Sequence, residues 1–271
     1  MEIKNISIIG AGNLGTSILE GILKSKLIKP ENIFITRRKT ELLEKYKKYK
    51  INYSSDNIEA VKFSNIVLLA LQPNHIPKVL NEIKGELIEN HIIISVASGV
   101  TIENIKQILG NVKVNNIIRA MPNTAIAIQE SMTCICSENK NGIDLVKLIF
   151  QQLGEVMFIT EDLMAPATAL CACGTAFFLR AIRAASQGGI EIGFHSEDAI
   201  KMAAQTAKGA AELLLKKGGH PENHIDKVTT PKGITIAGLN EMEHNGFSSA
   251  LIKGITTSAE KANKIYNKGN E

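Results

Sequence analysis

The sequence predicts an α/β fold in two parts: a mostly parallel, doubly wound sheet over residues 1–160, followed by an all-helical half over residues 161–271. Three observations carry this reading. Strand-like and helix-like segments alternate up to about residue 160. The strand-like segments are continuous apolar runs, as in sheets covered on both faces, and beyond Glu161 only helical patterns follow. A length of 271 residues, 44% of them hydrophobic, is enough to fill two ordinary domains.

The first strand, Ile6–Ile9, runs straight into Gly10, Ala11, Gly12, Asn13, Leu14 and Gly15, and then into a helix marked by Leu14, Ile18 and Ile22 at four-residue spacing. In this setting a G-x-G-x-x-G pattern is the phosphate-binding turn of a Rossmann-type sheet. Gly10 makes the tight turn, Gly12 admits a pyrophosphate, and Gly15 lets the helix pack on its strand. The anion sits on free N–H groups at the helix N-terminus.

The second strand, Ile33–Ile35, ends in Thr36, Arg37, Arg38 and Lys39. An NAD-specific site usually has an acid here to hold the ribose 2′-hydroxyl. Two guanidiniums and a hydroxyl suit a 2′-phosphate instead, which points to NADPH, with NADH as the alternative cofactor. A plain solvated basic turn is the structural alternative.

Further strands are expected at Ile66–Leu71, Ile92–Val96, Val114–Ile118, Met132–Cys136 and Val156–Ile159. Helical patterns lie near 14–26, 75–83, 101–109 and 142–152. Ligands bind at the carboxyl ends of such strands. That singles out Ala70, Leu71, Gln72 and Pro73, then Ala97, Ser98 and Gly99, then Ala120 to Thr124 with Asn123.

In the second half, Asp162 is expected to cap a helix over Leu163–Ile192. Others follow over Ser196–Lys217, stopping at Gly218-Gly219, then Thr235–His244 and Phe247–Tyr266. Such a half usually supplies the substrate pocket and often the dimer contact. The stretch from Lys227 to Leu239 places Thr229, Thr230, Pro231, Gly233 and Thr235 in a loop that opens a helix, a setting for a carboxylate. An ordinary capped helix start is the simpler reading.

Bulk properties set the outer limits. The first residues lack a basic segment leading into an apolar core, and no apolar run approaches the ~20 residues that span a bilayer, so a cytoplasmic protein without membrane attachment is expected. A net charge of +4, not gathered into a tail, argues for small anionic ligands rather than nucleic acid. Lys45, Lys47, Lys48 and Lys50, interleaved with Tyr46 and Tyr49, read as the solvated end of a surface helix. Cys134 with Cys136 and Cys171 with Cys173 match no zinc spacing, and His220 with His224 lacks a third ligand, so no metal is expected and the thiols read as reduced and structural.

The motifs G-A-G-N-L-G, M-P-N-T at Met121–Thr124, and above all T-T-P-K-G-I-T-I-A-G-L at Thr229–Leu239 resemble pyrroline-5-carboxylate reductases, over essentially the whole length. The resemblance implies reduction of 1-pyrroline-5-carboxylate to L-proline, the last step of proline biosynthesis. It also implies a Rossmann domain joined to a helical dimerisation domain, and homodimers that in the family often build larger rings, up to a decamer. Carried onto this chain, it implies that Thr235 meets the ring nitrogen and that Thr230, Gly233 and Ile234 hold the carboxylate. Glu161 is implied to lie close to the pocket, and Gly10 to Gly15, Thr36 to Arg38, Asn57, Ala70 to Pro73 and Ala97 to hold the cofactor.

Three departures stand out. Cys171-Ala172-Cys173-Gly174-Thr175-Ala176 replaces a serine- and glycine-rich run, Gln72 replaces a lysine, and Lys232 replaces a glycine. Two other readings stay open: a reductase or dehydrogenase of the same architecture acting on a six-membered imine or a hydroxy acid, and a noncatalytic NADP(H)-binding relative.

Overall fold

The computed structural model describes residues 4–139 and 142–268, with side chains as far as Lys264. It divides into two compact units, one of Met1–Cys173 with Ser258–Glu271, the other of Gly174–Thr257.

The first unit is built on a sheet of eight strands among the described residues: β1 (Ile6–Ile9), β2 (Ile33–Thr36), β3 (Asn52–Ser54), β4 (Ile66–Leu69), β5 (Ile92–Ser95), β6 (Asn116–Met121), β7 (Ser131–Ser137) and β8 (Gly154–Phe158). Their order is β3-β2-β1-β4-β5-β6-β7-β8, and every neighbouring pair is parallel except β6 with β7. The first six strands have the doubly wound order 3-2-1-4-5-6, with the direction of winding reversing between β1 and β4.

The helices of this unit are α1 (Asn13–Ser25), α2 (Asn57–Phe63), α3 (Ile76–Ile83), α4 (Ile102–Leu109), α5 (Ile143–Gln151) and α6 (Met164–Ala167). Strand alternation splits the interior into two cores. Ile6, Ile8, Ile66, Leu68, Ile92 and Ile94 face α1 and α5, meeting Ile18, Leu19, Ile22, Val146, Ile149 and Phe150. Ile9, Val67, Leu69 and Ile93 face α3 and α4, meeting Leu80, Ile83 and Ile105. Every residue of β1, β2, β4 and β5 is buried, which is why these strands are dominated by apolar residues, with only Ser7, Thr36 and Ser95 polar among them.

α1 lies close against the turn after β6. A Cβ at Gly21 would stand 2.4 Å from the Ile126 carbonyl oxygen, and Lys24 Nζ donates to the Ala127 carbonyl at 2.7 Å.

Several elements differ from expectation. β3 is a polar edge strand, and α2 is a short helix capped by Asp56, which accepts from the N–H groups of Ile58 and Glu59. The Lys45 region is not the end of an α-helix: Thr40–Tyr49 is a 3₁₀ run, anchored by buried Leu43 and by Tyr46, whose hydroxyl donates to Glu20 at 2.6 Å. Asp162 is not the expected cap either. It lies inside the 3₁₀ turn Glu161–Leu163, with Thr160 at the cap position of that turn and Leu163 at that of α6.

The first unit continues past Glu161 because Met164, Ala165 and Ala167 are buried in the second core; Ala262 joins them from the end of the last helix. After α6 the chain makes a π-helical segment, Thr168–Cys173. Taken together, Glu161–Glu191 is a 31-residue helical stretch with an 18-residue window of mean hydropathy 1.4, long and apolar enough to cross a bilayer. This corrects the expectation that no such run exists. Its N-terminal residues are nevertheless part of the first unit's core, and Arg180 and Arg183 interrupt its apolar character.

The second unit consists of α7 (Gly174–Glu191), α8 (Ser196–Lys217), α9 (Pro221–Lys227), α10 (Ile234–His244) and most of α11 (Phe247–Lys268). α7 and α8 pack as a hairpin in which a Cβ on Gly189 would touch the Ala199 Cβ at 3.1 Å. α9, opened by Pro221, is an addition to the helices read from the sequence. Much of this unit's apolar surface is uncovered: Phe178 is 63% exposed and Ile192 and Leu215 each 77%.

Candidate active site

The carboxyl ends of β1, β2 and β4 converge on the glycine turn. Gly10 has φ +106°, and a Cβ there would stand 2.5 Å from the Ala70 carbonyl oxygen and 2.7 Å from Leu71 Cδ2. Gly15 is tighter still, with the position of its missing Cβ 2.1 Å from the Gly10 oxygen. Gly12 is the opposite: a Cβ there meets nothing within 4 Å. One side of the turn is closed by backbone and the other is open to a ligand.

α1 begins at this opening. Its first internal bond runs from the Thr16 N–H to the Gly12 carbonyl at 2.9 Å, so the N–H groups of Asn13, Leu14 and Gly15 have no helical acceptor. Its first turn carries no acid that would compete with an anion. Open glycine, free N–H groups and positive helix end together fit a dinucleotide pyrophosphate.

At the end of β2, Thr36 is 2% exposed and its hydroxyl donates to Asn57 Oδ1 at 2.7 Å, while the Asn57 amide donates to Glu82. Thr36 and Asn57 therefore act through one another, and the Thr36 carbonyl also receives the N–H groups of Gly10 and Ala11. Arg37 Nη1 donates to the Ala11 carbonyl at 2.7 Å, which lays its guanidinium across the turn. Arg38 is exposed, with no hydrogen bond or ion pair among the described residues.

Ala70, Leu71, Gln72 and Pro73 follow β4, with the Ala70 N–H on the Ile9 carbonyl and Pro73 opening a 3₁₀ turn. Ala97 is buried just after β5. Asn123, after β6, is a scaffold residue: its Oδ1 accepts from the Ala125 N–H at 3.0 Å and its Nδ2 donates to the Cys171 carbonyl at 3.2 Å.

Glu161, which the resemblance implies to lie close to the pocket, is held by two partners. Its Oε1 accepts from the Ile102 N–H at 2.8 Å, at the start of α4, and from Arg119 Nη1 at 2.9 Å. Arg119 is 1% exposed in β6 and was missed in the sequence reading. The one available signal was a charged residue in the apolar run Asn116–Met121, which a buried strand admits only with a partner.

Of the cysteines, Cys134 and Cys136 share a face of β7 and are buried in the second core. Burial pushes the Cys136 thiol up to about 11. The Cys134 and Cys171 Sγ atoms stand 3.9 Å apart.

In the second unit, the loop from Thr229 to Gly233 opens α10. The Thr229 hydroxyl donates to the Ile225 carbonyl at 2.7 Å and closes α9. Lys232 takes the left-handed conformation at φ +58°, and the Gly233 N–H returns to the Thr230 carbonyl at 2.9 Å. A Cβ on Gly233 would stand 2.5 Å from Thr230 Oγ1. Gly233 sits at the cap position of α10 without a side-chain cap, so the helix N-terminus stays free for a ligand. Thr230 and Thr235 are exposed, their hydroxyls without a partner among the described residues, and Ile234 is 95% exposed.

Comparison with known proteins points to one family. Residues 161–265 match the family model for pyrroline-5-carboxylate reductase dimerisation, and residues 5–99 match that for NADP oxidoreductase, coenzyme F420-dependent. The chain is 48% identical over 277 residues to pyrroline-5-carboxylate reductase 2 of Dictyostelium discoideum, covering 96% of this chain and 93% of that protein. It is 49% identical over 275 residues to pyrroline-5-carboxylate reductase 1 of the same organism, of which it spans about half. A solved pyrroline carboxylate reductase from Plasmodium falciparum, with NADP bound, has a TM-score of 0.88 at 28% identity, covering 98% of this chain and 99% of that one. Likeness of this degree along almost the whole chain reflects common descent, and the chain belongs to the pyrroline-5-carboxylate reductase family.

Proposed function

We propose that this protein reduces 1-pyrroline-5-carboxylate to L-proline with NADPH as its reductant, NADH serving less well. The observation that carries the reading is the Thr229–Thr235 loop: two unpartnered threonine hydroxyls at an uncapped helix start, in a chain whose family acts on this imine.

The residues divide the work as follows. The glycine turn and the α1 N-terminus hold the pyrophosphate, and Arg37 and Arg38 take the 2′-phosphate, with Thr36, Asn57, Ala70 to Pro73, Ala97 and Asn123 shaping the surrounding wall. Thr230, Gly233 and Ile234 hold the substrate carboxylate, and Lys232 adds positive charge beside it. Thr235 hydrogen-bonds the ring nitrogen. Glu161 acts from behind, keeping the α4 start and Arg119 in place.

When bound, the dihydronicotinamide supplies a hydride from C4. The protonated imine is already electrophilic at carbon, so the chain need only bind and orient it, with Thr235 at the nitrogen, and no protein acid is required. Positioning is the main contribution, out of the ~7–11 kcal/mol that orientation can provide.

The assembly read here is a homodimer through the second unit, with decamers built from dimers, and the location is cytoplasmic. The exposed Phe178, Leu179, Ile192 and Leu215 support the dimer, because large apolar side chains left uncovered on a helical unit call for a partner. The deciding experiment follows NADPH oxidation with 1-pyrroline-5-carboxylate beside the six-membered imine, for wild type and Thr235→Ala. Turnover of the five-membered ring that falls in the variant supports the reading, whereas NADPH binding without turnover of either imine overturns it.

A further inference from the structure

We propose that Cys134 and Cys171 form a redox modification site, closing to a reversible disulfide when the enzyme meets a peroxide. The sulfurs come from separate elements, β7 and the π-helical segment before α7, and already stand 3.9 Å apart, so about 2 Å of closure completes an S–S bond. Nothing in the reduction of an imine uses either thiol.

The two cysteines are unequal in the way such chemistry needs. Cys171 is partly exposed and is the sulfur a peroxide reaches, while Cys134 is 3% exposed and lies behind it. With Cys134 as the S–H donor across the 3.9 Å contact, the hydrogen bond lowers the Cys171 thiol to about 7. The same bond, with burial, holds Cys134 well above the ordinary thiol range. At neutral pH a substantial share of Cys171 is therefore thiolate, the reactive form.

The chemistry balances in two steps. The Cys171 thiolate attacks one peroxide oxygen and breaks the O–O bond, giving a sulfenic acid and a hydroxide that is protonated to water. Cys134 sulfur then attacks Cys171 sulfur, forming S–S and expelling the sulfenic oxygen, which leaves as a second water with the Cys134 proton. Two thiols lose two electrons in all, and one peroxide gains them. A dithiol reductant reverses the bond by exchange.

The bond has a structural reach beyond the pair. It ties β7 to a segment whose Cys171 carbonyl is held by Asn123, the residue that also caps the Thr124–Ile128 turn. This inference does not depend on the substrate.

The test treats the 271-residue protein with hydrogen peroxide, removes the peroxide with catalase, blocks remaining thiols, and maps peptides without reduction. The expected result is loss of two of the four thiols, a Cys134–Cys171 cross-link located by fragmentation, and recovery of both thiols with dithiothreitol. The cross-link should persist in Cys136→Ser with Cys173→Ser, and vanish in Cys134→Ala and in Cys171→Ala. Four thiols surviving peroxide, a bond through Cys136 or Cys173, or Cys171 oxidised to sulfinic acid with Cys134 untouched would each overturn the proposal. The wild-type map alone decides these outcomes should a variant fail to fold.

Discussion

Arg119 Nη1 in β6 and Glu161 Oε1 after β8 are paired at 2.9 Å, and the same carboxylate oxygen receives the Ile102 N–H at the start of α4. One carboxylate thus serves a guanidinium with 1% of its surface exposed and a helix N-terminus together. Glu161→Ala should cost about 3 kcal/mol, the low end of the scale for removing one partner of a buried ion pair, because only the guanidinium is fully buried and the carboxylate is 31% exposed. Glu161→Gln, which keeps an acceptor for Ile102, should cost less. Urea unfolding of the three proteins checks this, and an alanine variant as stable as wild type would refute the bracing role.

The glycine turn separates folding from binding. Gly15→Ala puts a Cβ 2.1 Å from a backbone oxygen, and Gly10→Ala adds a clash to a left-handed φ, so both should lose at least about 2 kcal/mol of stability. Gly12→Ala meets open space and should leave the melting temperature nearly unchanged while weakening NADPH binding. Thermal unfolding beside fluorescence titration of NADPH distinguishes the three.

Arg38 has no protein partner among the described residues, whereas Arg37 is partly committed to the Ala11 carbonyl. Arg38→Ala should therefore weaken NADPH by about tenfold, from ~1.5 kcal/mol for one charge-assisted hydrogen bond, and leave NADH affinity nearly untouched. Arg37→Ala should weaken both cofactors, because it also releases the turn. Equal losses for the two cofactors in Arg38→Ala would remove it from the 2′-phosphate site.

Cys171 should titrate within reach of ordinary assays. Its thiol is lowered to about 7 by the hydrogen bond from Cys134, so the thiolate fraction, and with it the rate of iodoacetamide alkylation, should rise as pH increases through that value. Cys134→Ala removes the donor and leaves only burial acting on Cys171, so the midpoint should move up. A midpoint unchanged in the variant would show that Cys134 does not stabilise the thiolate.

Most of the sheet was legible because its strands are buried on both faces: Ile66–Leu69 and Ile92–Ser95 can hardly be read otherwise. β3 was not legible, since Asn52-Tyr53-Ser54 is polar and held by edge pairing with β2. α2, a seven-residue helix, was not read from the sequence; the Asp56 cap is its only local signal. The turn residues Gly10, Gly12 and Gly15 were readable because their constraints are local. Arg119–Glu161 and Cys134–Cys171 are not local: their partners lie 42 and 37 residues apart, and the pairing is decided by how α6 and the π-helical segment settle on the sheet. Asp162 shows the converse, since a good capping residue goes unused when the chain starts its helix two residues later.

The close seat of α1 against the turn after β6 also bears on how the chain is made. Gly21 packs on the Ile126 carbonyl, more than a hundred residues onward, and Lys24 reaches Ala127. During synthesis the helix that presents its N-terminus to the nucleotide emerges early, but its resting place does not exist until residue 126 has left the ribosome. The nucleotide half of the sheet therefore completes late and through long-range closure, the slow class of folding event. A nascent chain halted before β6 should carry the whole glycine motif and still fail to retain NADPH.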